Sequence, residues 1–389
     1  MYDQRVPINP VVPARDHVLV ILIRVHGGRN VLDGEVQWSG AMFRPRYTIT
    51  DRMNRALLEI ERARGFLDAA NIREEWLEGK RVDAMVLEAH HSTHIEGTRM
   101  TLPQAELILA GEEVEGVDRD DRQELLNYRE AMDFVSEYLG ELSDITEGLI
   151  KQIHGILVKD VRGGTLEPGQ YRTAQNYVGN VVTGEIIYTP PSPEDVPTRM
   201  AELVAWLNRD KGMSPVLVAG VAQHAFVDIH PFLDGNGRTA RVLCTLILYQ
   251  NGYDFQRLFS LSQFYDAARQ DYYDAIQGVR EADGDLTPWL EYFCEGLASQ
   301  LMGVKTIGGA VMKRDAVMAR ADELELNERQ RKVLLHIVDR EGASVDDIVK
   351  RFDLVRRTVQ RDLAMMVEEG VLVEVASSRT DPTKVYRLP

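Results

Sequence analysis

Only two cysteines, Cys244 and Cys294, occur in 389 residues. That is too few for a disulfide framework or a cysteine-based zinc cluster, and it fits a reducing compartment such as the cytoplasm. Long apolar runs are missing too. The strongest, Val18–Ile23, is bracketed by Arg15, Asp16 and Arg24. It falls far short of the ~20 residues a membrane helix needs, and it lacks the basic start and small-residue cleavage site of a signal peptide. It reads as a buried or edge strand, and no membrane association is expected. Positive charge is also in short supply: 45 Lys and Arg face 61 Asp and Glu, a net of −16. This excludes a broadly nucleic-acid-binding chain. The deficit is uneven, because residues 320–389 hold 13 basic and 14 acidic groups and are close to neutral. The acid load therefore belongs to residues 1–319.

What is present is ordinary globular material, 44% hydrophobic and 27% charged, long enough for two or three domains. Residues 1–45 form an N-terminal extension with the short strand. From Asp51 the spacing turns helical, with Met53, Ala56, Leu57, Ile60 and Ala63 on one stripe. Helices follow near Val82–Ser92, from Leu102-Pro103 (proline opening a helix) and over Arg119–Leu139. Residues 46–140 are thus a helical region. Residues 141–302 continue it, interrupted by β-prone residues from Tyr177 to Tyr188 around turn signals at Gly179-Asn180 and Thr183-Gly184, a hairpin. Gly303–Gly309 opens a linker over 303–324. Residues 325–389 read as three helices and two strands, a winged helix-turn-helix. There Arg356, Arg357, Gln360 and Arg361 open the recognition helix, for DNA or for a protein partner. The expected fold is mostly α.

The chemistry concentrates in His230-Pro231-Phe232-Leu233-Asp234-Gly235-Asn236-Gly237-Arg238-Thr239-Ala240-Arg241. Gly235, Asn236 and Gly237 form a tight turn opening a helix, an anion cradle of unpaired N–H groups at a positive dipole end. Arg238 and Arg241 are three apart, so two guanidinium forks share one face beside it. Asp234 can hold a divalent cation against the same phosphates. His230 has the side chain suited to a general base. Together they read as phosphoryl or nucleotidyl transfer.

The string resembles the signature of the Fic (Fido) family, H-x-F-x-[DE]-G-N-G-R-x-x-R, at every fixed position. The resemblance implies an all-α Fic-type core with a hairpin flap. It also implies transfer of AMP from ATP, with Mg²⁺, to a Ser, Thr or Tyr hydroxyl of a target protein, which could be the chain itself. His230 would be the base, Asp234 the metal carboxylate, and Gly235, Asn236, Gly237, Arg238 and Arg241 the phosphate holders. Ser92-x-x-x-Glu96-Gly97 matches the family's inhibitory motif [ST]-x-x-x-E-[GN], in which Glu96 would pair with Arg241 and take the place of the γ-phosphate. The flap would hold a target segment as an added strand, with Ile187, Tyr188, Thr189 and Pro190 at its tip. Tyr272 or Tyr273 would border the adenine. Two other readings of the same residues stand beside this: AMP removal, with Glu96 orienting water, and an ATP-sensing DNA-binding regulator. His90, His91 and His94 lie near the inhibitory motif, but no carboxylate in the sequence completes a known metal spacing with them. The wing and the inhibitory segment are both plausible homodimer surfaces.

Overall fold

The computed structural model describes residues 43–389, apart from 71, 140–143, 162–166, 181–183, 210–211 and 377–383, together with the backbone of 18–21. Most of the N-terminal extension and the Thr183 half of the second turn signal lie outside the described residues. The chain divides into two compact units, one of residues 1–68 and 74–304, the other of 69–73 and 305–389.

The first unit is helical. It contains α1 (Asp51–Ala69), α2 (Glu74–Ile95), α3 (Leu102–Leu109), α4 (Arg119–Tyr138), α5 (Glu147–Leu157), α6 (Val196–Leu207), α7 (Pro215–Ile229), α8 (Asn236–Gln250), α9 (Leu261–Ala267), α10 (Arg269–Glu281) and the start of α11 (Thr287–Glu323). Its centre is the pair α7 and α8. Apart from Pro215 and Val227, every residue of α7 is buried, as expected of a helix apolar on all sides. Ser214 and Pro215 start it, proline being tolerated where the N–H has no partner. Gly220 marks its closest approach to α11: a Cβ there would lie 2.9 Å from Leu290 and Phe293. The indole of Trp289 uses the same gap to donate to the Gly220 carbonyl at 2.7 Å. Around α7 and α8 pack α2, α4, α5 and α6. The two cysteines are both buried in this unit, and burial pushes the Cys244 thiol far up.

A small antiparallel sheet sits beside the helices in the order β1 (Val18–Ile21), β2 (Tyr177–Asn180), β3 (Ile186–Tyr188), with a bulge between Val178 and Gly179. Val18–Ile21 of the apolar run is therefore an edge strand among the described residues. β3 is the other edge.

The second unit holds α12 (Glu328–Asp339), β4 (Ala343–Ser344), α13 (Val345–Phe352), α14 (Arg356–Glu368), β5 (Val373–Val375) and β6 (Val385–Arg387). Its strands are antiparallel in the order β4-β6-β5. Asn327 and Ser344 each cap a helix with a reciprocal capping box. Val333, Leu334, Ile337, Ile348, Leu363 and Met366 fill its core.

The expected linker over 303–324 is corrected. α11 runs unbroken through it for 37 residues. Glycine inside a helix costs about 1 kcal/mol relative to alanine. With no proline and with helix-forming neighbours on both sides, that penalty at Gly303, Gly308 and Gly309 does not break the helix. Among the described residues, no helix is long and apolar enough to cross a membrane.

Candidate active site

His230 closes α7 in the left-handed conformation, φ 50° and ψ 59°. A β-carbon makes this unfavourable by about 1–2 kcal/mol, so something must hold it. Arg172 does so: its Nε donates to the His230 carbonyl at 2.8 Å, and its backbone N–H donates to the Pro231 carbonyl at 2.9 Å. Arg172 is buried, and its other guanidinium nitrogens donate to the carbonyls of Ala174 and Pro191. It thus ties the catalytic loop to both ends of the hairpin.

The imidazole is held in one tautomer. Nδ1 lies 3.1 Å from the Val227 carbonyl, which can only accept, so Nδ1 carries the proton. Nε2 is then a bare lone pair, buried and without a hydrogen-bond partner among the described residues. Burial, helped by the nearby Arg172 and Arg280 charges, pulls the pKa down to about 4. His230 is neutral at physiological pH. His154 and His224 are also buried, and burial takes each to about 4. A histidine whose folded pKa lies below its ordinary 6.5 binds protons better when unfolded. Its contribution to stability is intact above pH 6.5 and is lost as pH falls toward 4. The upper bound is roughly 3 kcal/mol per histidine. The thermal midpoint is expected to drop steeply between pH 6.5 and 4 in a calorimetric pH series, and a flat midpoint there would refute three neutral buried imidazoles.

The loop from His230 to α8 is closed by side chains. Gly235 sits at φ 74° as the N-cap; a Cβ there would meet Val158 at 2.9 Å, so only glycine fits. Asn236 bridges the loop, its Oδ1 accepting from the Phe232 N–H and its Nδ2 donating to the Phe232 carbonyl, both at 2.9 Å. Asn176 Nδ2 donates to the same carbonyl at 2.9 Å. His154 stacks on Phe232 with ring centroids 3.7 Å apart, donates from Nε2 to the Asp234 carbonyl at 3.0 Å and accepts from the Gly169 N–H. Asp234 Oδ1 accepts from the Gly235 N–H at 2.6 Å.

The two arginines of the signature have different fates. Arg238 is fully buried, its NH1 2.8 Å from Glu124 on α4 and its NH2 3.8 Å from Asp234. Arg241 reaches α2 instead. Its Nε donates to Ser92 Oγ at 2.8 Å, and its NH2 donates to the Ser92 carbonyl at 2.9 Å and to Glu96 Oε1 at 2.7 Å. Its NH1 is buried with no hydrogen-bond partner. Burial alone would lower its pKa, but the carboxylate of Glu96 holds it above the ordinary arginine value. Glu96 Oε1 also lies against the first turn of α8, 2.1 Å from where a Cβ on Gly237 would be. A carboxylate therefore occupies the position next to the helix N-terminus where an anion is stabilised.

Residues 144–248, which contain this loop and both arginines, match the family described as Fic/DOC family. That segment is similar to the Fic/DOC family domain. Protein adenylyltransferase Fic of Culex quinquefasciatus is 31% identical over 240 residues, 61% of this chain and 45% of the relative. The protein of the same name from Drosophila grimshawi is 30% identical over 244 residues, 62% and 47%. The chain spans about half the length of these curated relatives. Among solved structures, a Fic family protein from Desulfovibrio desulfuricans G20 superposes with a TM-score of 0.57 at 23% identity, over 89% of this chain and 98% of that one. A portion of Fic-1 from C. elegans gives 0.54 at 25% identity, over 68% and 73%.

Within the Fic fold, several of the expected site residues already have partners in the protein. Asn236 and Arg238 were read as phosphate holders. The Asn236 side-chain amide closes the loop, and Arg238 lies against Glu124 while its Nε and both terminal nitrogens make no hydrogen bond among the described residues; a charge with no solvent access needs a buried counter-charge. Removing that partner is costly: Glu124→Ala is expected to destabilise the fold by about 3–5 kcal/mol, read as a fall in the urea midpoint at unchanged slope. Tyr272 was offered as an adenine border, yet it is buried, stacked 4.3 Å from Tyr265 in an aromatic cluster with Trp289. Tyr273 is half-buried and donates from its hydroxyl to the Ile95 carbonyl at 3.3 Å. Ile187, Tyr188, Thr189 and Pro190 are not the hairpin tip but its return strand and exit. Ile186, Ile187 and Thr189 are exposed, and Pro190 is buried. The Tyr188 hydroxyl donates to the Asp228 carbonyl at 2.8 Å beneath the Arg280 guanidinium. Arg356, Arg357, Gln360 and Arg361 are exposed on α14, with Arg356 paired to Asp346.

Sequence reasoning missed Arg172, His154, Asn176 and Glu124. Each contacts the loop through backbone carbonyls or buried charge rather than through a motif of its own. Their one visible signal is polarity within otherwise apolar or turn-like segments.

Proposed function

We propose that this chain transfers AMP from ATP to a hydroxyl group of a protein and that Glu96 holds it in an inhibited state. The observation that carries the reading is the pairing of a bare, buried His230 Nε2 with an anion site, at Gly237 and Arg241, already filled by a carboxylate of the same chain. A base without a phosphate site, or a phosphate site without a base, would not support transfer.

In the reaction, a Ser, Thr or Tyr hydroxyl of the target approaches His230. Nε2 takes its proton as the oxygen attacks the α-phosphorus of ATP. The new O–P bond forms as the bond to the β-phosphate oxygen breaks, and pyrophosphate leaves with the electron pair. The N–H groups opening α8 and the Arg241 guanidinium carry the phosphate charge once Glu96 withdraws, a positioning and electrostatic role. Mg²⁺ fits Asp234, since such ions are commonly held by one or two carboxylates plus substrate phosphates; it would neutralise charge on the phosphates. The exposed edge of β3 suits a target segment added as a strand, held by main-chain hydrogen bonds rather than by a sequence motif.

Transfer of α-labelled ATP to protein tests this. Faint labelling by the wild-type chain, strong labelling by Glu96→Gly and none by Glu96→Gly/His230→Ala is the expected pattern. A second reading rests on the same placement of Glu96: a carboxylate beside the nest could orient water for AMP removal. AMP release from a modified protein, lost in Glu96→Gly, would favour it. The second unit is read here as a winged helix, on three helices and a small antiparallel sheet. The exposed α14 arginines make it a candidate DNA or protein contact, which a shift assay on the full chain would read.

A further inference from the structure

The end of α2 is gripped on two sides. Toward α8, Ser92 and Glu96 meet Arg241. Toward α9 and α10 the same turns present His91 and His94. Both imidazoles place Nδ1 on one oxygen of Asp266, Oδ2, at 2.8 Å and 2.7 Å. A carboxylate only accepts, so both Nδ1–H groups donate to it. The Asp266 carboxylate is nearly buried. Its other oxygen accepts from Arg269, Nε at 3.1 Å and NH2 at 2.5 Å, and that NH2 also lies 2.8 Å from His94 Nδ1. Burial alone would raise the Asp266 pKa, but the hydrogen bonds from His91, His94 and Arg269 outweigh it and hold the group far below the carboxylate range. One turn further, Tyr273 ties Ile95, the residue before Glu96. His90 completes the triplet by turning inward, Nε2 to the Met100 carbonyl at 2.9 Å.

These groups are polar and gathered on the face of α2 opposite its contact with Arg241, around an Asp266 carboxylate that is nearly buried while His94 is partly exposed. A segment that only had to cap a helix would need none of them. We infer that Asp266 is the positioning residue of Glu96: by fastening His91 and His94 to α9, it holds the last turn of α2 where the Glu96 carboxylate reaches Arg241. The three histidines are thereby given a role as anchor points rather than metal ligands. A signal that frees Glu96 must break this contact as well as the one with Arg241, and the cluster is the part of the device that a phosphate cannot displace directly.

This rests on the AMP-transfer reading, and the test separates the two. Asp266→Asn keeps the shape but removes the charge that holds two donors. In the otherwise wild-type chain it is expected to raise AMP transfer about five- to tenfold, by enlarging the fraction of molecules with Glu96 withdrawn. In the Glu96→Gly chain it is expected to change nothing, because nothing remains to be positioned. Asp266 also clamps the junction of α9 and α10, so His91→Ala/His94→Ala is the second variant, with the same two expectations. An equal change in both backgrounds, or no rise from either variant in a folded wild-type chain, overturns the inference. If Glu96→Gly itself transfers no AMP, the transfer reading fails, and amide hydrogen exchange decides the anchoring alone. Asp266→Asn should then speed exchange of residues 92–97 about tenfold while leaving α8 unchanged. Unchanged exchange across 92–97 sinks it.

Discussion

Replacing His230 with alanine in a Glu96→Gly chain is expected to cut AMP transfer by about 10²–10⁴-fold. The size follows from what is lost. The hydroxyl of an incoming side chain is a weak nucleophile until its proton has somewhere to go. In this site the acceptor is one defined atom: His230 Nε2 is bare because the Val227 carbonyl has fixed the proton on Nδ1. Binding of ATP should change little, since neither the α8 N-terminus nor Arg241 depends on the imidazole. The loss should therefore fall on kcat rather than on KM for ATP. Equal transfer with and without His230 would remove the base from the mechanism, whatever Glu96 does. A tenfold rise in KM with kcat intact would recast His230 as part of the nucleotide site.

Glu96→Gly should raise transfer about 10- to 100-fold over the wild-type chain. The reason is competition for one guanidinium. Arg241 NH2 is 2.7 Å from Glu96 Oε1, and that oxygen also lies where a phosphate would meet Gly237. The intramolecular carboxylate is present at a high effective concentration, so ATP must displace it before its γ-phosphate can be held. Glycine removes the competitor without adding bulk. Ser92 keeps Arg241 in place through its hydroxyl and carbonyl. The apparent affinity for ATP should rise together with the rate, since the competent fraction of molecules limits both. Glu96→Gln is the sharper variant, because it keeps the size but loses the charge. Activation by glycine and by glutamine alike would assign the inhibition to the ion pair. Activation by glycine alone would assign it to bulk. No labelled protein from Glu96→Gly, alone or with a lysate, would defeat the inhibited-transferase reading and leave AMP removal or regulation in its place.

The particular residues show what kind of information each level carried. The proposed roles of His230, Asp234, the Gly235–Gly237 turn and Arg241 could be read from the sequence because loop chemistry is written locally, whereas Ser92 and Glu96 were singled out only by the family resemblance. A positive φ asks for glycine, a helix N-terminus attracts an anion, and i,i+3 spacing puts two arginines on one face. The helices were legible for a similar reason, since burial of one stripe imposes a 3.6-residue period. The break after Met302 was misread because local propensity is a weak prior. Three glycines suggest a linker, but their cost is small beside a 37-residue helix whose one proline, Pro288, sits in the first turn.

By itself the sequence determined that the chain is mostly helical and pointed to residues 230–241 for its chemistry, while the family resemblance added an upstream carboxylate as a competitor for the second arginine. Only the tertiary structure decided which of those groups are aimed at a ligand. It sent Arg238 to Glu124 and the Asn236 amide to the loop backbone, left Arg241 to meet Glu96, and brought Asp266 from about 170 residues away onto His91 and His94. A buried charge must find a counter-charge and a buried donor an acceptor. Those partners are chosen by proximity in space, which spacing along the chain does not encode.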